Sequence, residues 1–182
     1  MSIMTIGGQM ANSYQDAKIT GFAAYLPKAA AGEIEKYQSA YEQNRHRVYS
    51  FAFWMTDSEL AAEELLGATF GRVFASTDSP TTEMVDRALL TEIRELMPIG
   101  TLTLESETVT DVSEIRKNTK RIFLERAIVQ VPATERLLFV MHDGEGYSHE
   151  RMSKMLGITE EESKLGLHQA RLRIRELVAD MK

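Results

Sequence analysis

Apolar residues recur every three or four positions through most of the chain, which is the pattern of helices that bury one face. In the first half, this spacing predicts a helix over residues 34–53, a second over 60–74 and a third from Thr81 or Thr82 to Leu96. Polar segments with capping residues separate the three helices. No stretch alternates with period two over enough residues to predict a sheet, so this half is expected to be all-helical.

The second half repeats the helical pattern with clearer stop signals. Residues 112–129 predict a helix that ends before Pro132, because the residue before a proline is biased away from helical conformation. Residues 133–141 predict the next helix, and residues 142–146, with two glycines, predict a turn.

The last 35 residues contain two helices joined by a very short connection. Ser148 begins a short helix that ends at Leu156, with Gly157 as its C-terminal cap, and Thr159 caps a final helix over residues 160–180. Two helices joined by a three- or four-residue turn that contains glycine are typical of a helix-turn-helix.

A Thr-, Ser- and Glu-rich stretch at residues 98–114 separates the two halves and predicts a linker. Thr and Leu alternate over residues 101–104, but a lone strand has nothing to pair with, so we interpret it as loop. The predicted fold is all-α, with two small helical domains joined by a flexible linker, the C-terminal one a helix-turn-helix. The predicted divisions are an N-terminal arm at 1–30, a helical domain at 31–97, the linker at 98–114 and the helix-turn-helix domain at 115–182.

Charge is distributed unevenly along the 182 residues. The net charge is −6, but residues 1–97 carry −5, residues 98–114 carry −4 and residues 115–182 carry +3. The two halves are therefore expected to meet different partners. A charge of +3 permits contact with nucleic acid without demanding it.

Composition excludes several kinds of chemistry. The absence of cysteine excludes disulfides, zinc-thiolate sites and a cysteine nucleophile. The four histidines show no i, i+4 pairing, and His142-Asp143 is most simply a turn, so we predict no metal and no cofactor. No apolar run approaches the roughly 20 residues of a membrane span, and the first residues lack the order of a secretory signal, so the expected compartment is the cytoplasm.

Two separated segments resemble bacterial sigma factors of the extracytoplasmic-function type. Residues 57–74, DSELAAEELLGATFGRVF, resemble the core helix of that family's region 2. Residues 124–175 resemble region 4, through LERA at 124–127, Val131-Pro132, Arg136, LGIT at 156–159 and the Arg-rich end. The two segments stand in the family's order, on either side of the predicted linker.

The resemblance implies a specificity subunit that joins core RNA polymerase and directs it to promoter DNA, with no active site of its own. An anti-sigma protein is a further partner that it allows, and neither a membrane nor a small-molecule substrate is expected. By position in the motifs, the polymerase-binding residues would be Glu63, Glu64, Leu65 and Phe70. The DNA-binding residues would be Lys164, His168, Arg171 and Arg173.

Departures from the family pattern keep a second hypothesis open. Glu160, Glu161 and Glu162 place three negative charges where phosphates would approach, and Gly166 puts a helix-weakening residue inside the reading helix. Gly67 and Ala68 stand where a Gln and an acid would face polymerase. The alternative is therefore a sigma-like scaffold that binds polymerase or a regulatory protein without reading promoters.

Several of these residues also have simpler interpretations. Glu63 and Glu64 are adjacent, so they point about 100° apart on a helix, which spoils shared acid–base chemistry; on sequence alone, a solvated helix face is the favoured explanation for them. Arg171, Arg173 and Arg175 have i, i+2 spacing, which wraps around a helix instead of forming one stripe. We therefore expect no catalytic residues and no enzyme activity.

Overall fold

A computed structural model describes residues 31–77, 79–100, 102 and 121–181 of the chain. Within these residues every regular element is helical, which confirms the all-α prediction. The predicted arm at 1–30 and most of the predicted linker lie outside the described residues, and the domain boundaries stay a prediction. The helices are α1 (Ala31–Thr56), α2 (Glu59–Ser76), α3 (Thr82–Leu96), α4 (Arg121–Gln130), α5 (Ala133–Phe139), α6 (His149–Leu156) and α7 (Glu160–Asp180).

The chain divides into two compact units, Met1–Leu96 and Met97–Lys182. In the N-terminal unit, α1, α2 and α3 pack against one another around aromatic side chains. Tyr37 lies 4.8 Å from Phe74, and Tyr41 lies 4.9 Å from Phe70, measured between ring centroids. These rings bury the apolar face that the spacing in the sequence predicts.

An ion pair also crosses the interior of the N-terminal unit. Arg47 on α1 reaches Asp86 on α3, with 2.5 Å between guanidinium nitrogen and carboxylate oxygen, and the Asp86 side chain is 1% exposed. Periodicity alone does not predict this pair, because the spacing of apolar residues does not show which polar side chains of two helices will meet.

Three apolar residues at helix ends are exposed, contrary to the predicted buried faces. Ile34, Leu60 and Leu96 are 37%, 67% and 54% exposed. Each lies in a first or last turn, where a helix extends past the neighbours that would cover it. An apolar residue in a terminal turn can therefore stay exposed although it fits the helical spacing.

The C-terminal unit is built around α7, which packs against α4, α5 and α6. Leu167, Ala170 and Ile174 form its buried stripe. Met141 and Met152 are fully buried and fill the core. Residues 112–120 of the predicted fourth helix lie outside the described residues.

The predicted turn after α5 is in large part a π-helical turn. Val140–Gly144, which we call the π-turn, continues α5, and the Glu145 amide donates to the Val140 carbonyl at 2.9 Å. Gly146 then takes a φ of 75°, a conformation that glycine adopts without steric cost. A π-helical turn contains one residue more than an α-helical turn, and this extra residue changes the direction of the chain toward α6.

Candidate nucleic-acid interface

The helix-turn-helix formed by α6 and α7 is held by local caps. The Ser148 hydroxyl accepts from the Arg151 amide at 3.2 Å, and Gly157 ends α6 with a φ of 74°. The Thr159 hydroxyl accepts from the Glu162 amide at 3.1 Å, while the Glu162 carboxylate accepts from the Thr159 amide at 2.7 Å. This capping box confirms Thr159 as the start of α7.

The three acids at the start of α7 therefore differ in their contacts. Glu162 belongs to the cap, and the hydrogen bonds from Thr159, chiefly from its backbone amide, lower the pKa of the Glu162 carboxyl. Glu160 and Glu161 are exposed in the first turn. Their charges favour the helix dipole but would repel a phosphate that approached the same end.

The four residues predicted to bind DNA have very different surroundings in the structure. Lys164 is exposed on α7, whereas His168 is 8% exposed. Arg171 and Arg173 are partly buried, and both form ion pairs with acidic side chains of the same unit. Of the four, Lys164 is the residue most accessible to an incoming phosphate.

Arg171 is held by Asp143 of the π-turn in a two-point contact. Its Nε donates to Asp143 Oδ2 at 3.0 Å, and its terminal nitrogen donates to Oδ1 at 2.6 Å. His142 Nδ1 also lies 2.9 Å from Asp143 Oδ1. Burial by itself would raise the pKa of the Asp143 carboxyl, but the hydrogen bonds and charges of His142 and Arg171 lower it to about 2. Asp143 is therefore ionised throughout the physiological range.

Arg173 forms the second such pair. Its Nε lies 3.1 Å from Oε2 of Glu135 on α5, and the Glu135 side chain is 7% exposed. A bidentate or buried partner restrains an arginine that would otherwise be a mobile surface cation. Both pairs tie α7 to the helix and turn that precede α6.

Gly166 permits a close approach in addition to weakening the helix. A Cβ atom at this position would lie 2.5 Å from a methyl carbon of Leu138, and 2.9 and 3.0 Å from those of Leu102. These distances are shorter than real side-chain carbons tolerate. A side chain at position 166 would therefore force Leu138 on α5 and Leu102 to shift their methyl groups.

A pair of histidines escapes sequence reasoning. The rings of His142 and His149 stack with centroids 4.7 Å apart and planes inclined by 28°. His149 Nδ1 also lies 2.9 Å from the hydroxyl of Ser163, a residue of α7 that is fully buried. His142, His149 and Ser163 lie on three different elements, so only the tertiary fold brings them together.

The residues predicted to bind polymerase divide between the surface and the core of the N-terminal unit. Glu63 and Glu64 are exposed on α2, whereas Leu65 and Phe70 are 5% and 0% exposed. Leu65 and Phe70 therefore hold the helix in place in this structure. Leu60, which is exposed one turn before Glu64, adds an apolar side chain to the same surface.

Two other kinds of site are absent from the described residues. Within the part of the chain that the structure describes, no group of three or more metal-binding side chains comes together. Over the same residues, no helix has both the length and the apolar character needed to cross a membrane.

Comparison with known protein families finds a match in the C-terminal unit. Residues 124–174, which run from α4 into α7, match the family described as Sigma-70, region 4. The match contains α6, the turn and α7 as far as residue 174, so this segment is similar to region 4 of sigma-70 factors. It covers less than a third of the chain and does not reach the N-terminal unit. No curated protein matches the chain.

Proposed function

We propose that this protein is a sigma-factor-like transcription initiation protein of the cytoplasm, which binds core RNA polymerase and directs it to promoter DNA. The observation that carries the proposal is the match of residues 124–174 to sigma-70 region 4, on a segment that folds as a capped helix-turn-helix. The region 2-like motif on α2, in the family's order, supports it.

In this proposal α7 enters the major groove, as the second helix of a helix-turn-helix does. Lys164 lies in the second turn of α7, where an exposed ammonium group can meet a phosphate near the groove. Arg171 and Arg173 act mainly by fixing the orientation of α7 through Asp143 and Glu135. His168 reaches DNA only if its surroundings open.

The N-terminal unit supplies the proposed polymerase surface. Leu60, Glu63 and Glu64 share the exposed side of α2, and together they offer one apolar and two acidic side chains. Such a surface suits a partner with a basic, partly apolar face. Leu65 and Phe70 support the surface from beneath, through the core. An anti-sigma protein that covers either unit is compatible with this arrangement.

A specific observation also favours the second candidate function, a scaffold that binds polymerase or a regulator without reading promoters. Two of the three predicted DNA-binding cations of α7 are paired with acids of the same unit, and Glu160 and Glu161 stand exposed at its start. These charges reduce the attraction of α7 for phosphate.

Transcription with purified components distinguishes the two functions. The full chain is added to core polymerase on a pool of genomic fragments, and binding to core is measured in parallel by pull-down. Start sites that depend on the protein support an initiation factor. Binding to core without any start site favours the scaffold. Absence of binding to core contradicts the initiation factor and leaves only a scaffold that binds a regulatory protein.

The contribution of α7 is tested by charge substitutions in the full chain. Lys164→Ala is expected to weaken duplex binding and to make the slope of log K against log salt shallower by about 0.9. Lys36→Ala removes an exposed cation from α1 and is the matched control, with no change expected. Glu160→Gln with Glu161→Gln should raise affinity for any sequence, while Glu162 is kept because it caps the helix. An unchanged affinity both in Lys164→Ala and in the Glu160/Glu161 variant would contradict the placement of α7 on DNA.

A further inference from the structure

The stacked histidines connect three elements of the C-terminal unit. His142 belongs to the π-turn, His149 is the first residue of α6, and Ser163 lies at the end of the first turn of α7. The ring stack joins the first two elements, and the hydrogen bond between His149 Nδ1 and the Ser163 hydroxyl joins the second to the third. The contact therefore lies where the helix-turn-helix is assembled.

Charged groups from each neighbouring element face His149. The π-turn contributes His142 and, behind it, the ionised Asp143. Helix α7 contributes Lys164, Arg171 and Glu160. Burial, then the charges of His142, Lys164 and Arg171, lower the pKa of the His149 imidazole, and only Glu160 opposes them. A proton on His149 thus meets more positive than negative charge.

The Ser163 contact is also sensitive to that proton. A neutral imidazole can accept from the hydroxyl at Nδ1, but a protonated ring carries a hydrogen on both nitrogens and can only donate. The buried Ser163 hydroxyl must then change from donor to acceptor, and its own hydrogen needs a new acceptor where water is excluded. Charging the ring therefore places a positive charge against the His142 ring and reverses the hydrogen bond with Ser163.

We propose that the His142–His149 stack, with the His149–Ser163 hydrogen bond, is a pH-sensitive lock that holds α7 against α6. The lock is closed when His149 is neutral and is released when His149 is protonated. Its existence depends only on the geometry of the C-terminal unit, while its consequence for DNA binding rests on the function proposed above.

The direction of the pH effect follows from linkage. Because the pKa of His149 is lowered in the folded state, the open form binds more protons than the closed form. The stabilisation is complete above the ordinary histidine pKa of about 6.5, and it decreases as the pH falls from there toward the folded-state value. Asp143, with a pKa of about 2, keeps its charge across this range and is not the group that titrates.

Hydrogen exchange on the full chain tests the lock. Amide protection in α6 and α7 is compared at pH 7.5 and 5.5, corrected for the intrinsic rate, with amides of α2 in the same sample as reference. Protection is expected to fall by up to about tenfold between the two pH values, because pH 5.5 lies about one unit below the unfolded histidine pKa of about 6.5. His149→Asn keeps a side-chain amide near the position of Nδ1 but cannot be charged, so its protection should not fall. His46→Asn, at an exposed position on α1, should behave as the parent chain does.

An equal fall in the parent chain and in His149→Asn would overturn the proposal, as would the absence of a fall in the parent chain. Imidazole NMR on the unsubstituted protein provides a test that does not depend on a variant's folding. The His149 midpoint is expected below about 6.5, and a midpoint at or above that value would overturn the lock.

Binding to random-sequence duplex DNA, measured at both pH values, separates the lock from the proposed function. If the chain binds no DNA at either pH, the DNA-reading function fails while the exchange result still decides the lock. If the chain binds DNA, its affinity for DNA should decrease from pH 7.5 to pH 5.5. The decrease should be larger in the parent chain than in His149→Asn. Equal pH dependence in the two chains would overturn the coupling to DNA.

Discussion

The two units of this chain achieve similar compactness with different chemistry. The N-terminal unit is held largely by aromatic and aliphatic side chains, with the Arg47–Asp86 pair across its interior. The C-terminal unit adds a polar network in which Asp143 and Ser163 connect the π-turn, α6 and α7. Both units contain ion pairs between helices, but in the C-terminal unit histidines take part as well, so the orientation of α7 depends on charge near neutral pH.

The largest difference in stability between the two units is expected from removing the charge of Asp143. Asp143→Asn should lower the free energy of unfolding of the C-terminal unit by about 2 kcal/mol at neutral pH. The Asp143 pKa lies at about 2, below the usual value of 3.8, and each unit of that difference stabilises the fold by about 1.4 kcal/mol. The pKa is depressed, so this stabilisation is present above pH 3.8 and is lost as the pH falls toward 2. Exchange of the slowest α7 amides in the full chain measures it.

Glu150→Gln is the matched control for the Asp143 substitution. Glu150 is an exposed acid on α6 that pairs with Lys154 at 2.6 Å, so the same loss of one charge should change stability very little. If both substitutions destabilise the unit equally, or if the effect of Asp143→Asn persists unchanged at pH 2, the polar network does not hold α7 in the way proposed.

The sequence predicts those features of both units that depend on local interactions. Helical spacing located the helices of both units, and single residues such as Ser148, Gly157 and Thr159 marked their ends, because caps are local interactions. The exposure of Leu60 could not be read from spacing, since it depends on where the neighbouring helices stop.

Sequence reasoning is weaker for the candidate site. It finds the motif residues of α7, but it leaves Arg171 and Arg173 free to meet DNA because their acidic partners, Asp143 and Glu135, lie 28 and 38 positions away along the chain. The stack of His142 on His149 depends on the π-turn, which no propensity predicts. Contacts between distant side chains, more than secondary structure, decide which residues are accessible.

The next largest effect is expected from replacing a glycine by alanine, because this change should destabilise the C-terminal unit and stabilise the N-terminal unit. Gly166→Ala places a Cβ 2.5 Å from Leu138, and overpacking should destabilise the C-terminal unit by about 1 kcal/mol even after the gain in helix propensity. At Gly71 on α2, an added Cβ would have no neighbouring heavy atom within 4 Å, so Gly71→Ala should stabilise the N-terminal unit by up to about 1 kcal/mol. Denaturant unfolding followed by hydrogen exchange in each unit measures both, and a stabilising Gly166→Ala would show that Leu138 and Leu102 can move aside.

The smallest expected difference concerns the helix caps. Thr159→Ala removes the hydroxyl half of the capping box at α7 and should cost the C-terminal unit about 1 kcal/mol. The cost is limited because Glu162 still accepts from the backbone amide of residue 159. Ser58→Ala removes a longer cap at α2, 3.3 Å from the Ala61 amide and without a reciprocal acid, and should cost the N-terminal unit less. Amide exchange in the first turn of each helix compares the two, and an equal loss would mean that the box adds nothing to the single hydroxyl contact.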